Sequence, residues 1–152
     1  MSLNIVLIEP EIPNNTGNIG RLALATGSTL HLVKPFGFEI DDSRLKRAGL
    51  DYWQHLDIVY YDDIDDFFTK NKTANMVYLS SHGKQQHWDI PFKDDLFLVF
   101  GKESVGLPKH ITQNNEDTLF KIPLYSKHIR SLNLANAVSV VVYEGLRQLG
   151  SK

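Results

Sequence analysis

A chain of 152 residues, 42% hydrophobic and 22% charged, is long enough to bury a sizeable core, and its composition is that of one globular domain over 1–152. No window approaches the roughly 20 apolar residues of a membrane span, no basic stretch precedes the first apolar run, and the absence of cysteine removes disulfides and thiolate metal sites, so a cytoplasmic protein is expected. A formal charge of −2 argues against gripping nucleic acid by bulk charge, and any such contact must come from a local basic patch.

The first apolar run, LNIVLI at 3–8, is short and rich in Leu and β-branched residues, as a buried strand is. A junction follows at 9–21, EPEIPNNTGNIGR, with two prolines, two glycines and three asparagines before its closing arginine. A helix is expected over 16–26, capped by Asn14, Asn15 or Thr16, with Gly17 and Gly20 letting its first turn approach another backbone or a ligand. Free N–H groups at such a start favour an anion, and Arg21 adds a permanent charge with a five-donor fork. The plain alternative is a capped helix whose arginine faces solvent. The G-x-G-x-x-G dinucleotide pattern is absent from GNIGR.

Further strands are expected at 29–34, 56–61, 75–81, 96–100 and 118–123. Helices are expected at 43–48, 64–70 and 108–114, where Pro108 suits a first helical position. SRLKRAG supplies a basic run of Arg44, Lys46 and Arg47, and the acidic YYDDIDDFF is expected to sit away from that face. The six histidines show no metal-site spacing, so no metal is expected. Trp88, in QHWD, reads as a surface-loop or packing residue rather than a base-stacking one.

The second junction, FGKESVGLP at 100–108, directly follows an apolar strand, where open α/β sheets collect ligands. Gly101 and Gly106 allow a backbone-lined wall, and Glu103 is either a functional carboxylate or an acceptor for loop N–H groups. The missing G-K-[ST] ending argues against a triphosphate-binding loop. The third junction, IPLYSKHIRSLNLANAV at 122–138, passes through a polar loop carrying Lys127, His128 and Arg130 into the final helix, capped by Ser131 or Asn133. Asn133 and Asn136 read as amides on an otherwise apolar helix, in need of partners. That helix sets Leu134, Val138, Val141 and Leu149 near one face and stops at Gly150. Val140, Val141 and Val142 in a row point apolar groups in more directions than one core face buries, which predicts a homodimer. Strands alternating with helices imply an α/β domain with a mainly parallel sheet.

NNTGNIGR, FGKESVGLP and RSLNLANAVSVVVYE resemble, in order and spacing, the three sequence motifs of the SPOUT RNA methyltransferases. The likeness extends to GFEIDDSRLKRAGLDYW and LRQLG, covers nearly the whole chain, and is nearest to the single-domain TrmL (YibK-like) branch. The resemblance implies an α/β fold with helices on both faces of the sheet and a deep C-terminal trefoil knot. It implies that S-adenosylmethionine is bound, with S-adenosylhomocysteine as product, and that two chains pair. Cofactor contacts then fall on Leu79, Gly101, Ile122 and Ser131, with Glu103, Leu124, Leu132 and Asn133 as neighbours. The implied reaction is methylation of the ribose 2′-oxygen of the tRNA wobble nucleotide, cytidine or uridine 34, with the anticodon stem-loop as partner.

The same resemblance makes Arg21 the catalytic candidate. A guanidinium stays protonated, so holding a phosphate or the hydroxyl oxygen fits it better than acting as a base. Tyr143 is a second candidate for orienting the acceptor, or else packs at the helix interface. Asn15, Arg44, Lys46, Arg47 and Arg130 are the expected RNA contacts. Asn14 stands where proline is common in the family, and YSKHI lengthens the loop before Arg130. The rival readings are a related 2′-O-methyltransferase acting at another tRNA or rRNA position, and a nucleotide- or RNA-binding module without turnover.

Overall fold

The computed structural model describes residues 2–39 and 51–150. The expected helix at 43–48, with Arg44, Lys46 and Arg47, lies outside the described residues. Within them the chain runs β1 (Asn4–Ile8), α1 (Pro13–Thr26), β2 (Thr29–Val33), β3 (Ile58–Tyr61), α2 (Ile64–Lys70), β4 (Met76–Leu79) and β5 (Gln85–Gln86). It continues through β6 (Phe97–Phe100), α3 (Lys109–Asn114), β7 (Leu119–Lys121) and α4 (Leu134–Gly150). All strand pairs are parallel, in the order β3-β2-β1-β6-β4-β7-β5. Six of the seven strands fall on the apolar runs read from the sequence. β5 does not, because two glutamines carry no hydrophobic signal and are recruited only by pairing with Phe120 and Lys121.

The two-residue period of the strands sorts side chains between two cores. Leu3, Ile5, Leu7, Leu30, Leu32, Leu98 and Phe120 point to the face covered by α1 and α4, where Ile19, Ala23, Val138, Val141 and Val142 meet them with Trp53. Val6, Ile8, Val33, Tyr61 and Val99 point to the other face, against Phe67 of α2 and Ile111 of α3. The expected layering with helices on both faces is present, and Leu134 and Leu149 pack on the first core as their spacing predicts.

Two helix starts differ from expectation. α1 begins at Pro13, three residues early, so Asn14, Asn15 and Thr16 lie inside its first turn and none of them is the cap. Ile12 holds the cap position in extended conformation with no side-chain cap bond, and Pro13 brings a φ already suited to the helix. Pro108 is the cap of α3 rather than its first helical residue, because its ψ of 145° is extended. Gly20 serves packing and not a ligand: a Cβ there would stand 2.6 Å from the Trp53 ring.

Candidate functional site

Parallel strands end on one rim, and β1, β6, β4 and β7 are consecutive neighbours in the sheet. The three junctions therefore arrive side by side. β1 leads into the first, β6 into the second and β7 into the third, while β4 ends at Leu79, registered beside Phe100, the residue before Gly101.

Glu103 joins the first two junctions. Its Oε1 accepts from the Glu11 backbone N–H at 2.9 Å, and its Oε2 accepts from the Ile12 N–H at 2.8 Å and from Asn15 Nδ2 at 3.2 Å. A carboxylate about 90 residues further along the chain thus gathers the two backbone N–H groups that lead into α1 and the side chain of Asn15, beside a helix start whose dipole favours negative charge. The tie is reciprocated, since Glu11 Oε1 accepts from Ser104 N–H at 2.8 Å. Hydrogen bonds from the Ser104 hydroxyl and backbone hold the Glu11 carboxyl below the ordinary carboxylate range. Of the two roles open to Glu103 in the sequence, the acceptor role is the one its contacts show.

Asn15 carries the connection to the third junction. It is buried, and its Oδ1 accepts from Asn133 Nδ2 at 3.0 Å, while Asn133 Oδ1 accepts from Asn136 N–H at 3.2 Å and so caps α4. Of Ser131 and Asn133, the cap is Asn133. Both asparagines, 133 and 136, are exposed rather than buried, because Asn133 precedes the helix and Asn136 lies on its outer stripe. Thr16, in the same first turn of α1, is buried with no hydrogen-bond partner for its Oγ1.

The second junction is closed on itself. Gly106 N–H donates to the Lys102 carbonyl at 2.9 Å, and Gly106 sits at φ 73°, in the left-handed region. A Cβ on Gly101 would lie 2.1 Å from the Gly106 carbonyl carbon, backbone that no rotamer change can move. Lys102 Nζ approaches Glu9 Oε1 at 3.6 Å, binding the loop again to the first junction.

Arg21 lies two turns into α1 and is exposed, its guanidinium carbon 5.9 Å from the centre of the Tyr52 ring. Tyr52 is anchored in turn, its hydroxyl donating to the Gly17 carbonyl at 2.7 Å. Burial pushes the Tyr52 phenol up and Arg21 opposes that shift. The sequence reading did not single out Tyr52 for any role, although AGLDYW was part of the family likeness. Tyr143 stands 54% exposed on α4, which packs beside α1. Leu79 and Ile122 are buried and half-buried at their strand ends, while Leu124, Ser131, Leu132 and Arg130 are exposed along the third junction. Trp88 is 46% exposed in the turn His87–Asp89, its ring beside that of His87 and its backbone carbonyl accepting from Gln148 Nε2 of α4 at 3.0 Å. Among the described residues no group of three His, Asp or Glu side chains could hold a metal ion, and no helix is long and apolar enough to cross a membrane.

The model of the SpoU rRNA Methylase family matches residues 2–143. The tRNA (cytidine(34)-2′-O)-methyltransferase of Yersinia pestis is 47% identical, the match covering 97% of this chain and 94% of that protein. A solved structure described as giving insights into the 2-OH methylation of C/U34 on tRNA superposes with a TM-score of 0.92 at 41% identity, covering 99% of this chain and 98% of that one. An AdoMet-bound rRNA methyltransferase from Sinorhizobium meliloti superposes at 0.83 with 26% identity, over 97% of this chain but 57% of its own.

Proposed function

The chain belongs to the SpoU rRNA methylase family, and from that premise we propose that it is an S-adenosylmethionine-dependent methyltransferase acting on the ribose 2′-hydroxyl of tRNA nucleotide 34. The observation that carries this reading is the Glu103–Asn15–Asn133 chain, which fastens all three family motifs into one rim.

The residues of that rim fit the cofactor. Leu79, Ile122, Leu124 and Leu132 offer apolar walls beside strand ends, Gly101 leaves backbone without a side chain, and Ser131 and Asn133 add polar groups, a set suited to an adenine and an amino-acid tail. When bound, the sulfonium supplies an electrophilic methyl group, so the protein's task is mainly alignment. Arg21, which lies over Tyr52, grips the phosphate beside the target ribose or its hydroxyl oxygen; a guanidinium binds oxygen without accepting a proton. Tyr143 orients the acceptor, and Asn15, Arg44, Lys46, Arg47 and Arg130 serve the RNA side, Asn15 by positioning since its own contacts are internal.

The reading extends to assembly and chain path. Residues 1–152 act as one domain, the segment after β7 threads the knot of the SPOUT fold, and the chain works as a homodimer. Val140, 41% exposed beside Tyr143 on the outer stripe of α4, supports pairing through that helix, and light scattering at micromolar concentration that finds a fully active monomer would remove it. No bound metal is needed for this chemistry, so activity should survive chelation.

The test is transfer of tritiated methyl groups from S-adenosylmethionine to tRNA, followed by mapping of the modified nucleotide. Label at the 2′-oxygen of nucleotide 34 is expected. Label at another position moves the substrate within the family. Cofactor and tRNA binding with no transfer to any tRNA makes the chain a binding module.

A further inference from the structure

The loop between β7 and α4 carries a side chain that neither the family motifs nor the cofactor set uses. Tyr125 is 91% exposed, an unusual position for a large aromatic ring. The backbone beneath is ordered: Ser126 Oγ accepts from His128 N–H at 3.2 Å, and the Ser126 carbonyl accepts from Ile129 N–H at 3.4 Å. A turn closed by its own serine therefore projects the ring into solvent without drawing on neighbours.

The charge around the ring selects its occupant. From Lys121 to Tyr143 the sequence contains no Asp or Glu, yet it carries Lys121, Lys127, His128 and Arg130, in a chain whose net charge is −2. Lys127, His128 and Arg130 are exposed with Tyr125 on this one loop, which leads through Ser131 and Leu132 into Asn133 at the rim. The other prominent exposed aromatics have acidic company, Tyr143 preceding Glu144 at the end of the acid-free span. Trp88 precedes Asp89 and abuts the helix turn holding Glu144, and Tyr60 leads into YDDIDD. A projecting ring among cations fits unpaired nucleic acid, whose bases have π-faces and whose backbone has phosphates.

We propose that Tyr125 is a stacking platform for an unpaired nucleobase of the RNA substrate, next to the nucleotide presented to Arg21, with Lys127 and Arg130 on the flanking phosphates. This rests on the RNA methyltransferase reading and adds to it a positioning residue that sets how the single-stranded loop enters the rim. Loss of the ring weakens RNA capture and leaves the cofactor side untouched.

The experiment uses the full chain with S-adenosylmethionine and an anticodon stem-loop transcript, comparing Tyr125→Ala and Tyr125→Phe with the native protein. Tyr125→Ala should raise the KM for RNA about 5- to 150-fold, the span of one base–aromatic stack, with kcat within about 3-fold. Tyr125→Phe should behave as the native protein, since the ring and not the hydroxyl stacks. Calorimetry with S-adenosylhomocysteine and light scattering should give unchanged affinity and mass for both variants. A native KM in Tyr125→Ala overturns the proposal. So does equal impairment of both variants, which would assign the role to the hydroxyl. Lost cofactor affinity or a changed mass would place the ring in the cofactor pocket or against a second copy, and also overturns it. If the native protein methylates no tRNA, the functional reading fails separately. Fluorescence-detected binding of single-stranded RNA by the same three proteins then decides the platform alone.

Discussion

The start of α1 and the loop at 124–132 reach the same rim but hold their shapes in opposite ways. At the start of α1 the polar groups are bonded across long stretches of sequence: Glu103 to Glu11, Ile12 and Asn15, Glu11 to Ser104, and Asn15 to Asn133. The 124–132 loop bonds to itself through Ser126 and leaves Leu124, Tyr125, Lys127, His128, Ile129, Arg130 and Leu132 exposed. The difference divides the labour of the site. A cross-braced junction fixes where the Arg21 helix stands, as alignment chemistry requires. On the proposed reading, a self-supporting loop with exposed side chains meets a substrate whose own shape is irregular.

The largest expected effect tests the braced side. Arg21→Ala should lower methyl transfer by roughly 10²-fold or more while leaving S-adenosylhomocysteine affinity nearly unchanged, the signature of lost alignment. Arg21→Lys should recover only part of the rate, because a point charge cannot reproduce a planar fork. Native turnover in the alanine variant would detach the bracing from catalysis and move attention to Tyr143.

Next in size is a control that separates stability from the rim. His31 lies within the sheet, Nε2 2.8 Å from Asn4 Oδ1 and Nδ1 2.8 Å from the Tyr61 hydroxyl, and burial lowers its pKa to about 4, with Asp57 opposing. The unfolded chain takes up a proton near pH 6.5 that the fold refuses until about 4. Stability should therefore fall as the pH drops from 6.5 to 4, by about 3 kcal/mol, and stop falling below that range. Urea midpoints across this window should flatten in His31→Gln. An unchanged acid slope in that variant would return the acid sensitivity to the carboxylates of the rim.

Glu103→Ala should cost about 2 kcal/mol, since it strips a charged acceptor from two backbone N–H groups and Asn15. Thermal unfolding should drop by about 4–8 °C in a chain of this size. Glu103→Gln keeps one oxygen and should lose less. Lys127→Ala, on the open loop, should stay within about 0.5 kcal/mol of the native protein. Equal losses for Glu103→Ala and Lys127→Ala would erase the contrast between the two regions.

The sequence made the strands and the order of the junctions easier to read than the bonds that tie the junctions together. Six strands stood out because buried parallel strands are continuous apolar runs, and their alternation with helices implied the layering. Motif order foresaw that the three junctions meet, and the strand order β1-β6-β4-β7 is the physical reason. Hidden were the interactions between distant residues. The start of α1 departs from the local signals at Asn14, Asn15 and Thr16 because Pro13 takes the first helical position and Ile12, which has no side-chain acceptor, takes the cap. Tyr52 beneath Arg21 and the packing of Gly20 on Trp53 depend on a turn some 30 residues away. Asn133 and Asn136, amides that the sequence shows in need of partners, meet that need from exposed positions, because Asn133 caps α4 and Asn136 lies on its outer stripe.

The smallest expected effect is the most specific to the open loop. If Lys127 and Arg130 each neutralise one phosphate, the log of RNA affinity should fall with log salt less steeply in Lys127→Ala and Arg130→Ala, by about 0.7–0.9 per contact. The deficit of either variant should then be widest at low salt and shrink by about 3-fold between 50 and 200 mM, because the native protein loses a counterion-release contribution that the variant never had. Glu103→Ala should leave this slope unchanged, since its bonds are internal, whatever it does to stability. Filter binding of the anticodon stem-loop at four salt concentrations distinguishes the cases. A parallel shift, with the same slope and a constant deficit, would mean that these cations shape the loop rather than touch phosphate. The 124–132 segment would then be a second braced region, and the division between a framework that aligns and a loop that captures would fall.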